Sequence, residues 1–195
     1  MKILLALTDR DLLTGLSRFL ALTGHEAVPV FDGTQVPEKL AAEKPDAAVI
    51  DRTLPRAPLS SLLTRLRLAG VPAVETSDRP VTARDRVSGQ AASFLAYPFS
   101  PGELLDRLER VAKTASSGET FFVGDVAVDA GRFLLGNKIP LTVEEIDLLR
   151  ALANGEKAIF PQSALLSSLN EKFRSLGGAV RIGRVAGGYG VMKHE

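Results

Sequence analysis

The first half of the chain alternates short apolar runs with segments of helical periodicity. Residues 3–7 are apolar without interruption, and Leu12, Leu13, Leu16, Phe19, Leu20 and Leu22 then recur at the three- and four-residue spacing of one helix face. Gly24 closes that helix, since a residue free of Cβ adopts the positive φ of a C-terminal cap at little cost. Residues 27–31 predict a second strand, Asp32-Gly33 a turn, and residues 38–43 a helix that Lys44-Pro45-Asp46 breaks. A third strand over 47–50 ends on Asp51, a helix follows over 60–68, and a short fourth strand covers 73–76. Residues 81–92 predict a weakly apolar helix, Ser93–Ala96 a fifth strand, and 101–112 an amphipathic helix with Pro101 in its first turn.

Five strands, each followed by a helix and apolar without alternation, predict an α/β domain whose parallel sheet is covered on both faces. Ligands of such sheets bind beyond the carboxyl ends of the strands, where the strand order reverses. Asp9 and Asp51 each fall just past a strand end and are the first candidates for chemistry.

The pattern changes after Lys113. Residues 114–118 are small and polar and predict a linker between a domain over 1–113 and a second over 119–195. Beyond it, residues 120–123, 125–129, 133–135 and 139–141 predict a small antiparallel sheet with a turn at Gly136-Asn137. Thr142 with Glu145 three residues on predicts a capping box, and Ile146, Leu148, Leu149 and Leu152 form the apolar face of the helix it starts. Pro161-Gln162-Ser163 opens another helix through Leu169, and residues 179–192 predict a hairpin turning near Gly187-Gly188.

Composition narrows the classes. A chain of 195 residues with 45% hydrophobic and 24% charged residues is that of an ordinary globular protein. It has no cysteine, which excludes disulfides, thiolate metal sites and cysteine nucleophiles. The first apolar run is too short for a signal peptide or membrane span, so a cytoplasmic location is expected. Net charge is +1 overall, but residues 171–195 hold five bases against two acids, a balance that permits nucleic-acid contact without demanding it.

At this point particular motifs carry a resemblance. Residues 3–9, "HEAVPVFDG" at 25–33, "PDAAVIDRTLP" at 45–55, "VPAVETS" at 71–77 and "FLAYPFSPGELLDRL" at 94–108 resemble a response-regulator receiver domain. "VGDVAVDAGR" at 123–132, "IPLTVEEIDLLRALA" at 139–153 and "GRVAGGYGV" at 183–191 resemble the winged-helix effector of the OmpR/PhoB type. The matches cover nearly the whole chain, in the family's order and spacing. The resemblance implies a five-stranded flavodoxin-like domain, then a small α+β winged-helix-like domain, in a regulator that is not itself an enzyme. It implies phosphoryl transfer from a histidine kinase to Asp51, with Mg²⁺ held by an acid pair after the first strand and by the acceptor. A lysine after the fifth strand, a hydroxyl after the fourth and an aromatic on the fifth complete the family's set.

Three departures qualify that expectation. Thr8 and Asp9 stand at the acid pair, so one carboxylate is missing, and Tyr97 stands at the lysine, whereas Ser77 and Phe94 keep the hydroxyl and the aromatic. Loss of a ligand and of the counter-charge together disfavours ordinary phosphorylation. No cofactor is expected, with Mg²⁺ on Asp9 and Asp51 only if the receiver site works, and Asp51 otherwise reads as an acid tying nearby loops together. Ala92 and Ser93 replace the acids of the family's usual symmetric interface, which leaves a homodimer by a rearranged or apolar surface open. Finally, the groove-reading helix is expected to be cut to residues 171–176 before Gly177-Gly178, fewer than two turns. Lys172, Arg174, Arg181 and Arg184 remain for DNA, as weak or non-specific contacts to phosphates or a minor groove.

The reading is therefore an atypical response regulator in signal transduction and transcription, switching at Ser77, Phe94 and Tyr97 through contact with a histidine kinase, a phosphotransfer protein or the transcription machinery. Its rival is an interaction module without DNA binding that docks such a partner as a decoy. A third reading is a working acceptor at Asp51. The glycines at 183–190 fit hairpin chemistry better than a phosphate loop, and neither His25 nor His194 has the partners of a metal site.

Overall fold

The computed structural model describes residues 1–159, 161–178 and 180–193, so His194 lies outside the described residues. By contact the chain divides into two units, residues 1–81 with 90–115, and residues 82–89 with 116–195.

The first unit is built on β1 (Lys2–Ala6), β2 (Glu26–Val30), β3 (Ala47–Asp51), β4 (Ala73–Ser77) and β5 (Ser93–Ala96). All pairings are parallel and the order is β2-β1-β3-β4-β5. The connection leaves β1 for one edge and returns through β3 to the other side, which opens a crevice at the carboxyl ends of β1 and β3. Every residue of β3 and β4 is buried, as in strands covered on both faces, including the polar Asp51, Glu75, Thr76 and Ser77. Pro29 is confined to edge strand β2, where a missing N–H disturbs no second neighbour.

Helices α1 (Arg10–Leu22), α2 (Val36–Glu43), α3 (Leu59–Leu68) and α5 (Pro101–Ser117) follow their strands, with α4 (Ala83–Ser88) between β4 and β5. Leu13, Leu16 and Leu20 are the buried stripe of α1, and Leu62, Leu63 and Leu66 that of α3. Each such side chain, once fully buried, contributes about 1.5–3 kcal/mol. The helix expected over 81–92 is shorter, starting at a Thr82–Asp85 capping box and ending before Gly89.

Residues 114–117 are not the irregular linker that their composition predicts. They extend α5 by a turn: Thr114 is buried and its hydroxyl donates to the Arg110 carbonyl at 3.0 Å. Small polar residues carry only a weak preference against helix, and burial of Val111 and Thr114 outweighs it.

The second unit opens with a four-stranded antiparallel sheet, β6 (Thr120–Val123), β7 (Val126–Asp129), β8 (Leu134–Leu135) and β9 (Ile139–Pro140), in sequential order. Next come α6 (Val143–Ala153), α7 (Ser163–Ser175) and the hairpin of β10 (Val180–Val185) and β11 (Gly188–Lys193). Thr142 and Glu145 form the expected capping box. Ile146, Leu149, Leu169, Phe173, Val180 and Ile182 are buried in the core of this unit.

The six-residue stub expected at 171–176 is overturned. Residues 163–175 form one 13-residue helix, about 20 Å long, and the segments predicted on either side of Asn170 are its two halves. Asn170, between those two segments, has a low intrinsic helix preference but lies inside the helix. Its side chain instead bonds Ile182 on β10 at both ends, accepting from the backbone N–H at 2.7 Å and donating to the carbonyl at 2.9 Å.

Candidate functional site

The carboxyl ends of β1, β3, β4 and β5 bring together Thr8, Asp9, Asp51, Thr53, Thr76, Ser77 and Tyr97. Asp51 is buried, and its Oδ1 accepts from both the backbone N–H and the hydroxyl of Thr53, each at 2.9 Å. The Thr53 and Thr8 hydroxyls stand 3.4 Å apart, which joins the loop after β3 to the loop after β1. Asp9 is the N-cap of α1, and its Oδ1 accepts from the backbone N–H groups of Asp11 at 2.9 Å and Leu12 at 3.0 Å. This satisfies two of the helix's unpaired donors.

Tyr97 enters the same space from the end of β5. Its hydroxyl donates to Thr76 Oγ1 at 3.2 Å, and its ring stacks on Phe99 at 4.8 Å between centroids. The β3–β4 register sets Thr76 directly beside Asp51. Burial raises the Tyr97 pKa above 10.0; the hydrogen bond with Thr76 opposes this, while the negative charges of Asp51 and Asp9 add to it. A neutral phenol, fixed by its hydroxyl, therefore occupies the place where the resemblance calls for a cation.

Ser77 and Phe94, the hydroxyl and aromatic expected at the switch, are both buried. Ser77 is buried and its Oγ accepts from the Arg79 backbone N–H at 3.2 Å. Phe94 is packed in the core with Ile50, Leu54, Leu63 and Ala91, facing inward. On the same face the buried Glu75 carboxylate is gripped by the guanidinium of Arg52, so this arginine is not a free surface cation. Arg56, in the following loop, pairs with Asp32 at 3.6 Å.

Asp9 and Asp51 are the two carboxylates that would face a Mg²⁺ ion at this crevice. Among the described residues no three of His, Cys, Asp and Glu stand close enough to share a metal ion. Of the two carboxylates expected as ligands, Asp9 is engaged by the helix it caps and Asp51 by Thr53. Mg²⁺ keeps several waters and is held by one or two carboxylates, so this pair would have to exchange these hydrogen bonds to hold it.

The cations expected for DNA separate into three environments. Lys172 is buried: its Nζ donates to Glu145 Oε2 at 2.6 Å, where Oε2 also accepts from the Thr142 N–H at 2.8 Å. Glu145 Oε1 accepts from the Ser168 hydroxyl at 2.6 Å. Burial lowers the Lys172 pKa from 10.5, and Glu145 resists that shift. The expectation that Lys172 touches phosphate is therefore corrected: it lies on the core side of α7, one turn past Ser168 and beside Phe173. Arg174 and Arg181 are exposed and line one cleft, together with Asn170 and Gly177. Arg184 lies further along β10, opposite Tyr189.

Sequence reasoning missed Thr53, Thr76, Glu75, Ser168 and Asn170. Thr53 had a local signal, since a hydroxyl two residues after an aspartate is placed to close a turn upon it. The others are brought to their partners by strand register or helix packing, which no short motif encodes.

Comparison with known proteins agrees with this architecture. No family model matches the chain. The transcriptional regulatory protein PrrA of Mycobacterium tuberculosis is 35% identical over 178 residues, covering 85% of this chain and 76% of the relative. The response regulator MprA of Mycobacterium ulcerans is 27% identical over 188 residues, covering 86% and 78%. Among solved structures, the receiver domain of a Francisella response regulator matches 57% of this chain and 96% of its own, with TM-score 0.53 and 26% identity. The BeF3-activated receiver domain of Klebsiella pneumoniae RstA matches 56% and 96%, with TM-score 0.51 and 25% identity. The fold and crevice are those of a receiver domain with a small winged-helix-like unit after it. The chain belongs to the two-component response regulators of the OmpR type. Among the described residues no helix is long and apolar enough to cross a membrane.

Proposed function

We propose that this response regulator acts in transcription by protein contact, with its acceptor site held in one state by hydrogen bonds and not set by Mg²⁺-dependent phosphorylation. The observation that carries the reading is the pair of hydrogen bonds that Thr53 donates to Asp51, with the Tyr97 phenol standing where a lysine would neutralise a phosphoryl group. A phosphoryl group on Asp51 would displace the Thr53 bonds and meet no cation from Tyr97, in a site where each such interaction is worth about 1–3 kcal/mol. The partner is a histidine kinase, a phosphotransfer protein or the transcription machinery, docking at the loops that carry Thr8, Thr53 and Tyr97.

DNA contact on this reading is weak and non-specific, through Arg174, Arg181 and Arg184. Among the described residues of α7, the exposed ones are Ser163, Ser167, Glu171, Arg174 and Ser175, a face with one base and one acid. Such a face supplies little counter-charge in a groove, even on a helix of full length. The same feature favours the second reading, a module that docks its partner as a decoy and binds no DNA.

Two measurements test these readings. Acetyl phosphate with Mg²⁺ is expected to leave the full chain unlabelled; a label that Asp51→Asn abolishes would establish a working acceptor instead. In gel shifts at low salt, retardation of duplexes of arbitrary sequence that Arg181→Ala/Arg184→Ala removes supports the regulator. No retardation of any duplex supports the decoy.

A further inference from the structure

Helix α1 buries Leu13, Leu16 and Leu20. The opposite stripe, Asp11, Gly15, Arg18 and Leu22, follows at spacings of four, three and four residues and is exposed along its whole length. Thr14, also exposed, lies beside it. Leu22 is 88% exposed at the end of the stripe, and outside the helix backbone itself nothing lies within 4 Å of where a Cβ on Gly15 would stand. The middle of this face is therefore uncovered by the rest of the chain.

Its two charges are also unpaired. Elsewhere in the same unit Lys2 pairs with Glu26 and Glu43, Lys39 with Glu43, and Arg56 with Asp32, whereas among the described residues neither Asp11 nor Arg18 has an ion-pair partner. Asp11 and Arg18 stand seven residues, about 10 Å, apart along the helix, and their midpoint falls between Thr14 and Gly15. A two-fold axis through that midpoint sets a second α1 antiparallel to the first, with Asp11 of each copy opposite Arg18 of the other. A parallel pair would instead set Asp11 against Asp11 and Arg18 against Arg18. The missing side chain of Gly15 and the short one of Thr14 let the two axes approach to about 8 Å at the crossing point, the near end of the range for packed helices.

We propose that a second copy of this chain covers the outer face of α1, in an antiparallel two-fold pair closed by two Asp11–Arg18 ion pairs. Leu22 of each copy then lies over the start of the other copy's helix and loses its exposure to water. One 13-residue helix per protomer makes a contact smaller than the roughly 1,200 Å² of a stable interface, so the dimer exchanges with monomer. The pairing goes beyond the docking loops of Thr8, Thr53 and Tyr97 and is independent of how Asp51 is held.

The test is sedimentation of the full chain over a range of concentrations. The sedimentation coefficient is expected to rise with concentration at low salt and to rise less at high salt, which screens exposed ion pairs. Because each substitution counts twice across a two-fold axis, Asp11→Arg or Arg18→Asp alone is expected to weaken self-association about tenfold or more. A mixture of the two single variants is expected to associate again, since Arg at 11 then faces Asp at 18 in both pairs. Both positions are exposed and the Asp9 cap is untouched, so folding is preserved, which circular dichroism checks. A wild-type chain that stays monomeric at every concentration overturns the proposal and leaves the face to a helix of another protein. Single variants that associate as the wild type does, or that fail to rescue one another on mixing, overturn it as well.

Discussion

Lys172 donates to Glu145 at 2.6 Å inside the core of the second unit, joining α7 to the first turn of α6. Both side chains are at most 1% exposed, and Glu145 is simultaneously bonded by the Thr142 N–H and the Ser168 hydroxyl. One carboxylate thus closes the capping box of α6 and anchors the neighbouring helix. Taking two charges out of water costs several kcal/mol each, and only a fully bonded pair offsets it. Lys172→Met leaves Glu145 buried without its counter-charge and is expected to cost about 3–5 kcal/mol in urea unfolding. Glu145→Gln/Lys172→Met removes both charges and is expected to recover most of that loss. If the double variant is no more stable than Lys172→Met, the pair is not what holds the two helices.

Thr8 and Tyr97 stand at the two positions where the receiver set lacks a carboxylate and a cation. Thr8→Asp/Tyr97→Lys supplies both beside Asp51. The double variant is expected to take up label from acetyl phosphate in a Mg²⁺-dependent manner, while the wild-type chain stays unlabelled. Asp51→Asn in that background should abolish the label. An inert double variant would mean that the Thr53 bonds alone close the site.

Tyr97 ionises later than a free tyrosine, because burial and the nearby Asp51 and Asp9 charges disfavour the phenolate. Between 10.0 and the raised value the folded chain retains a proton that the unfolded chain has lost. Stability carried by this group is therefore fully present below pH 10.0 and declines as pH rises through the folded value. An ultraviolet titration of wild type against Tyr97→Phe checks it: the difference spectrum should rise with a midpoint above 10.0. A midpoint at or below 10.0 would place Tyr97 in open solvent.

Gly33 lies in the loop after β2, and its backbone N–H donates to the Pro55 carbonyl at 2.9 Å. A Cβ at this position would collide with the Cβ of Ala57. Gly33→Ala is expected to cost about 1–3 kcal/mol in denaturant unfolding, because neither of two backbone-fixed carbons can rotate away. The companion Gly15→Ala, at an exposed position of α1 with nothing within 4 Å, should be neutral or stabilising. Equal effects of the two substitutions would show that the loops after β2 and β3 are not held together here.

How far these features were legible in the sequence depended on how local their causes were. The unbroken apolar runs at 3–7 and 47–50 announced buried parallel strands, because nothing but a two-sided cover hides such surface. The Thr142–Glu145 capping box was legible for the same reason, since its donor and acceptor lie three residues apart. Asp51 was located by its place at the end of the third apolar run, though its bonds to Thr53 were not foreseen.

Other features depend on residues that the chain brings together from afar. Composition predicted a linker at 114–118, yet α5 runs on through 117 because its buried stripe continues. Lys172 looked like a free cation until packing of α7 on α6 put it against Glu145, 27 positions earlier. Asn170 gave no sign in the sequence that Ile182 would supply both of its hydrogen-bond partners. The sequence alone determined the order of elements through its periodicity, and through the resemblance of its motifs the family and the altered composition of the acceptor site. Only the tertiary structure decided which charges are buried and which face one another, because burial and pairing are properties of the packed chain.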